Sequence, residues 1–276
     1  MEHRVITPND PKYPQRLIER LEDKCPEKIY YSGPLRLLDR FTLAVVCSDE
    51  SGGIALMETN QVLFTVREYE MNYIGGWHSV IETEIFRLSL FRKNTTTTLF
   101  SAKGLNKETF ESFLKDRFYP PLHEFPERDE YFRRAENNEL LMLSISEPDE
   151  ARQRRKNIMT RNWLSCVLAD IVFIPYGPRG SKTYTMAKRI SRASIPLFTI
   201  DHDESKDLHK LGIPGFNRKT VKAFLEEKGA QRAIPQNDIR RPVKAYEKPT
   251  GQQLSFMKEP TQTKLEFEKN NSESDC

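Results

Sequence analysis

"RNWLSCVLADIVFIPYGPRGSKT", residues 161–183, sets an arginine, an unbroken apolar run and a small-residue turn in that order. The run Ile171–Ile174 is short and rich in β-branched residues, as a strand buried on both faces of a parallel sheet is. The turn "PYGPRGSKT" leads into "YTMAKRISRA", where Met186, Ile190 and Ala193 recur at helical spacing. A strand, a glycine turn and a helix start suit an anion, because the first N–H groups of a helix are unpaired and carry the positive end of its dipole. Small residues such as Gly180 and Ser181 would let a phosphate approach them, with Lys182 and Thr183 next in line. The same order also suits an ordinary strand-to-helix turn, and the stretch alone leaves both readings open. It is not a P-loop, since Ser181 stands between Gly180 and Lys182 and breaks the Gly-x-x-x-x-Gly-Lys-Ser/Thr spacing.

Outward from this stretch the chain alternates. Strands read at "TLAVVCS" (42–48), "NYIGG", "TTTLFSA", "ELLMLSIS" and "IPLFTI". Between them lie helical patterns over about 54–69, 79–93 and 151–168 and the helix "NKETFESFLKDRF". Strands separated by helices of this length imply βαβ units and a parallel sheet. A last helix, "NRKTVKAFLEEKG", has Asn217 as its expected N-cap, Val221, Phe224 and Leu225 on one face, and Gly229 as its stop. Ahead of residue 40 a short helix (14–21) and the extended piece "PEKIYYSGP" read as a preface. The expected domains are an N-terminal extension (1–40), an α/β domain with helices on both faces of a parallel sheet (41–230) and a tail (231–276).

Of the 276 residues, 30% are charged and 37% hydrophobic, which is polar for a compact domain and points to a segment with little core. The tail, rich in Pro, Gln, Lys and Glu, fits that description and is expected to be disordered. It holds a near-repeat, "PTGQQLSF" (249–256) and "PTQTKLEF" (260–267). Its anchors Gln253, Leu254, Phe256, Leu265 and Phe267 are of the kind that dock short peptides into grooves of a partner. "QLSFM" in addition resembles the motif by which bacterial proteins bind the replication sliding clamp.

A net charge of +3 does not announce a nucleic-acid binder, so that reading rests on local clusters. One is Arg152, Arg154, Arg155, Lys156 and Arg161, with Arg154, Ile158 and Arg161 expected on one helix face. Another is Arg179, Lys182, Lys188, Arg189 and Arg192. Guanidinium clusters suit phosphate oxygens, and a solvated helix face would look the same. Two patches flanking one strand end suit a groove at the carboxyl ends of the strands. Cys25, Cys47, Cys166 and Cys276 are scattered, with no metal-ligand spacing, and His78, His123, His202 and His209 form no triad-like setting. No metal or cofactor is expected. Without an apolar leader or a run of about 20 apolar residues, the chain reads as soluble and cytoplasmic, with no membrane partner.

Four segments together resemble the DNA-processing protein A family (DprA, also called Smf), whose core is Rossmann-like. "NDPKYPQRLIERLEDKCPEKIYYSG" is similar to the family's opening segment, "LAVVCSDES" to its first strand and turn, and "NYIGGWHSVIETE" to its second loop. "RRKNIMTRNWLSCVLADIVFIPYGPRGSKTYTMA" matches best, with Arg161 and Asn162 at the family's Arg-Asn pair and Gly180 and Ser181 at its Ser-Gly-Ser turn. The resemblance spans roughly residues 8–230. It departs in the first loop, where Cys47 and Asp49 replace a glycine and an arginine. In the second, Gly75 and Gly76 are kept, but bulky Trp77 follows and Glu82 stands near an expected aspartate. The resemblance implies binding of single-stranded DNA or a nucleotide phosphate and help in loading a recombinase. For diverged relatives it implies phage defence or an antitoxin that neutralises a toxin, with homodimerisation left open. Catalysis is not expected; nucleotide-processing relatives would need an acid and an arginine, for which Glu82 and Arg161 are the available pair.

Overall fold

The computed structural model describes residues 3–90, 94–117 and 127–233. In chain order its elements are β1 (Arg4–Ile6), α1 (Gln15–Leu21), β2 (Ile29–Ser32), β3 (Thr42–Val45), α2 (Gly53–Val66), β4 (Met71–Gly75), α3 (Val80–Leu90), β5 (Thr95–Ser101), α4 (Phe110–Arg117), α5 (Glu127–Glu136), β6 (Leu140–Ser144), α6 (Arg155–Leu168), β7 (Ile171–Phe173), α7 (Lys182–Arg192), β8 (Leu197–Ile200), α8 (Lys206–His209), β9 (Gly215–Phe216) and α9 (Val221–Glu227).

All the strands join one sheet in the order β1-β2-β6-β5-β4-β3-β7-β8-β9. From β6 to β9 neighbours are parallel, while β1 pairs antiparallel with β2, and β2 with β6. The central strands are buried along their whole length, and alternate residues feed two separate cores. Leu43, Val45, Ile171 and Phe173 pack on one face with residues of α2, α3, α5 and α9. Ala44, Val46, Val172 and Ile174 pack on the other with residues of α1, α6, α7 and α8. That two-sided burial is why the strands read as continuous apolar runs, and it gives the α/β, Rossmann-like parallel sheet with helices on both faces.

β5 is an exception in composition, "TTTTLFS", yet every residue of it is buried. Its hydroxyls are satisfied internally. Thr96 and Thr98 donate to Oδ1 of Asn72 at 3.2 and 3.1 Å, and Thr95 donates to the Ser89 carbonyl at 2.6 Å. Ser89 and Thr97 share a 2.9 Å bond. Buried polar groups are tolerated when they are paired in this way.

The segment 1–40, expected as a preface, adds β1 and β2 to the sheet and fastens α1 to α6 with two arginines. Arg16 grips Asp170 through both carboxylate oxygens at 2.8 and 2.9 Å, and Asp170 also accepts the Thr42 N–H at 2.7 Å. Arg20 donates to the Val167 and Ala169 carbonyls, both at 2.6 Å, at the C-terminal end of α6. A cation there also meets the negative end of the helix dipole.

Two local readings change, and one further helix carries no legible signal. The helix expected over 151–168 begins only at Arg155, with Arg154 extended as its N-cap. Asn217 caps a preceding turn, accepting from Lys219 and Thr220, and α9 proper starts at Val221. α5, "ERDEYFRRAE", carries charge at most positions and gave no apolar period to read. No helix among the described residues is long and apolar enough to cross a membrane.

Candidate functional site

After β3 the chain turns toward β4, and after β7 toward β8, so the connections diverge between these two neighbours. A crevice opens at such a reversal, outside the carboxyl ends of the strands. Here it is a cleft of about 910 Å3. The loop after β3 (Val46–Glu50), residues of α6 and the turn Pro178–Thr183 form its walls.

Its floor is built from charged residues that are turned inward. The Glu82 carboxylate, 5% exposed, accepts the Cys47 N–H on one oxygen and the His78 N–H on the other, each at 2.8 Å. Burial pushes the Glu82 carboxyl above its usual range, while those two N–H groups and nearby Arg161 pull the other way. Cys47, buried beside it, has its thiol pushed up to about 12, first by burial and then by the Glu82 charge. Glu82 thus ties the loop after β3 to the loop after β4.

Arg161 is 1% exposed and donates from Nη1 to the Phe100 carbonyl at 3.0 Å and the Gly76 carbonyl at 3.5 Å. A methyl group built on Gly76 would collide with the Arg161 guanidinium. The expectation that Arg154, Ile158 and Arg161 share one helix face is therefore corrected. Arg154 lies outside the helix and pairs with Glu150 at 3.3 Å, and Arg161 points into the floor.

The turn after β7 is open. Gly180 has φ +90°, a conformation that favours glycine, and nothing lies within 4 Å of a Cβ built on it. Ser181 is the N-cap of α7, its Oγ accepting the Tyr184 N–H at 3.0 Å. Lys182 and Thr183 follow, Lys182 exposed and Thr183 buried. Their N–H groups belong to the opening turn of α7, where helical partners are lacking. Asp207 holds this turn from behind, accepting the Arg179 N–H at 2.9 Å.

Of the residues expected at the site, Arg155, Arg161, Asn162, Gly180, Ser181, Lys182 and Thr183 come together around the cleft. Lys156 lines a different groove, and Gly75 and Gly76 are buried and do not line the cleft. Asp49 and Glu50 stand exposed at the cleft. Trp77, expected to crowd the second loop, is fully buried and donates to the Thr98 carbonyl at 3.3 Å. It reaches that position through φ +56°, a strained conformation for a bulky residue. His78, Gln153, Ile158, Met159 and Met186 also line the cleft. Only their nearness to strand ends and to α6 could have flagged them. Gln253, Leu254, Phe256, Leu265 and Phe267 lie outside the described residues. No cluster of three or more metal-ligating side chains occurs among the described residues.

A parallel sheet covered on both faces, with a polar crevice at its reversal point and a helix opening onto it, defines a Rossmann-like α/β protein. The DNA recombination-mediator protein A family matches residues 4–212, and the chain belongs to that family, a family of DNA processing and recombination. Two solved structures share the fold. DNA processing protein A from Streptococcus pneumoniae matches with TM-score 0.63 at 21% identity, over 81% of this chain and 74% of that one. DNA processing protein A from Helicobacter pylori, described with its single-stranded DNA binding mode, matches with TM-score 0.61 at 20% identity, over 82% and 97%. No curated protein matches the chain.

Proposed function

We propose that the protein binds single-stranded DNA by its phosphates in the switch-point cleft and performs no chemistry on it. The observation that carries this reading is the open start of α7. Gly180 leaves the backbone uncovered, Ser181 caps the helix, and Arg155, Arg179 and Lys182 stand around the same cleft. Phosphate oxygens are attracted both by such a helix start and by the cations. The single-stranded DNA bound by the Helicobacter pylori protein supports the choice of ligand.

The floor favours binding over catalysis. Both oxygens of Glu82 are occupied by backbone N–H groups, and Arg161 is engaged with carbonyls, so each is committed to holding the loops in place. In the test, log affinity for an oligothymidylate is measured against log salt. Lys182→Ala and Arg155→Ala should each flatten the slope by about one phosphate contact. Unchanged affinity and slope in both variants would remove the cleft from strand binding.

A further inference from the structure

A second groove, of about 710 Å3, runs between the segment around Pro26 and helices α6 and α7. It shares Met159 and Met186 with the switch-point cleft. At its wall the Arg189 guanidinium carbon lies 3.7 Å from the ring centroid of Trp163. Trp163 is 7% exposed, whereas Arg189 is exposed and has no carboxylate partner among the described residues. An indole behind a guanidinium fixes its plane and lowers the ordering cost of using its other face. That other face is a surface on which a nucleobase stacks.

Charge links the two grooves. A shallow concavity along α7 holds Arg179, Lys188, Arg189 and Arg192 without an acidic residue. It shares Arg179 and Gly180 with the switch-point cleft and Arg189 with the second groove, which Lys24, Lys28 and Lys156 also line. Glu27 and Glu147 stand in that groove too, Glu147 accepting the Tyr30 hydroxyl at 2.7 Å. In the switch-point cleft, by contrast, Asp49 and Glu50 offset the cations, so a polyanion held there gains from contacts further along α7.

We infer that a single strand leaving the switch-point cleft runs along α7 and stacks a base on the Arg189–Trp163 pair in the second groove. The inference rests on strand binding in the cleft and adds a subsite to it. The test uses the full chain with oligothymidylates of about 2 and about 20 nucleotides, because Arg189 lies seven residues, roughly 10 Å, along α7 from Lys182, a distance that six nucleotides would already span. Arg189→Ala should weaken the longer strand by about fivefold or more, the loss of one stacked base, and leave the shorter one unchanged. Arg189→Lys, which keeps charge without the flat guanidinium, should weaken it almost as much.

The chain has two tryptophans, so Trp77→Phe leaves Trp163 as the reporter, and its emission should respond to the longer strand. Wild-type affinity in Arg189→Ala, or full rescue by Arg189→Lys, would overturn the stacking subsite while leaving the cleft intact. A groove taken up by a protein segment instead would give that same null result. If wild-type protein binds neither oligothymidylate, cleft binding itself fails and the subsite falls with it.

Discussion

The Arg161 guanidinium occupies the space that any side chain on Gly76 would need. The glycine after β4 and the arginine of α6 therefore form one unit, although 85 positions separate them in sequence. Gly76→Ala should cost about 1–3 kcal/mol, because a methyl group must displace a fully packed neighbour. Arg161→Ala should cost a similar amount by leaving the Phe100 and Gly76 carbonyls short of a donor. The double variant should cost clearly less than the sum, since the smaller residue makes room for the methyl group. Urea denaturation of the four proteins gives the coupling; costs that add within about 0.5 kcal/mol would rule the unit out.

Glu82 predicts a pH dependence. Its folded-state carboxyl holds its proton more tightly than in the unfolded chain, where it titrates at about 4.3. The folded state therefore binds more protons than the unfolded state above that value, and stability falls as pH rises through the window up to the raised value. Glu82→Gln removes the titration and loses one acceptor, since its amide nitrogen would face a backbone N–H. The stability advantage of wild type over Glu82→Gln should be greatest in acid and shrink toward neutral pH. Melts across that range test it, and a pH-independent difference would contradict the burial argument.

The grip of Arg16 on Asp170 predicts how the N-terminal segment is held. Both side chains are about a quarter exposed, so the pair is partly screened, but Arg16 also donates to the Leu38 and Leu168 carbonyls at 2.7 and 3.2 Å. Arg16→Ala should destabilise by about 1–2 kcal/mol. Proteolysis should then cut first ahead of residue 40. A variant with wild-type stability and cleavage pattern would show that the sheet pairing of β2 alone holds the segment.

For the C-terminal residues we propose that the two Leu-x-Phe elements bind a protein partner, the sliding clamp being the first candidate. Paired weak anchors on one chain raise effective concentration at a ring with repeated grooves. Leu254→Ala with Phe256→Ala should weaken capture of the clamp and leave the melting temperature unchanged. Wild-type capture by this variant would end the proposal.

The parallel sheet was legible because two-sided burial forces unbroken apolar runs such as Ile171–Ile174, and the turn at Gly180 because a positive φ with open space demands glycine. The burial of Arg161 was not legible, because an arginine that donates to carbonyls looks in sequence like one turned toward solvent. Trp77 misled for a related reason. Its left-handed backbone turns the ring into the core, and no residue pattern signals that. Arg189 and Trp163 are 26 positions apart, and only the packing of α6 against α7 reveals the stack.

The two antiparallel N-terminal strands carry a consequence for solubility. β6, "LLMLS", is buried throughout, and one of its edges is paired only with β2. Stripped of that partner, an oily strand would offer a full row of unpaired backbone groups to any passing chain, the usual seed of edge-to-edge aggregation. β1, three residues long and charged at Arg4, is a far poorer template. The stretch Arg4–Ser32 thus acts as a selvedge, finishing a sheet that would otherwise keep adding strands.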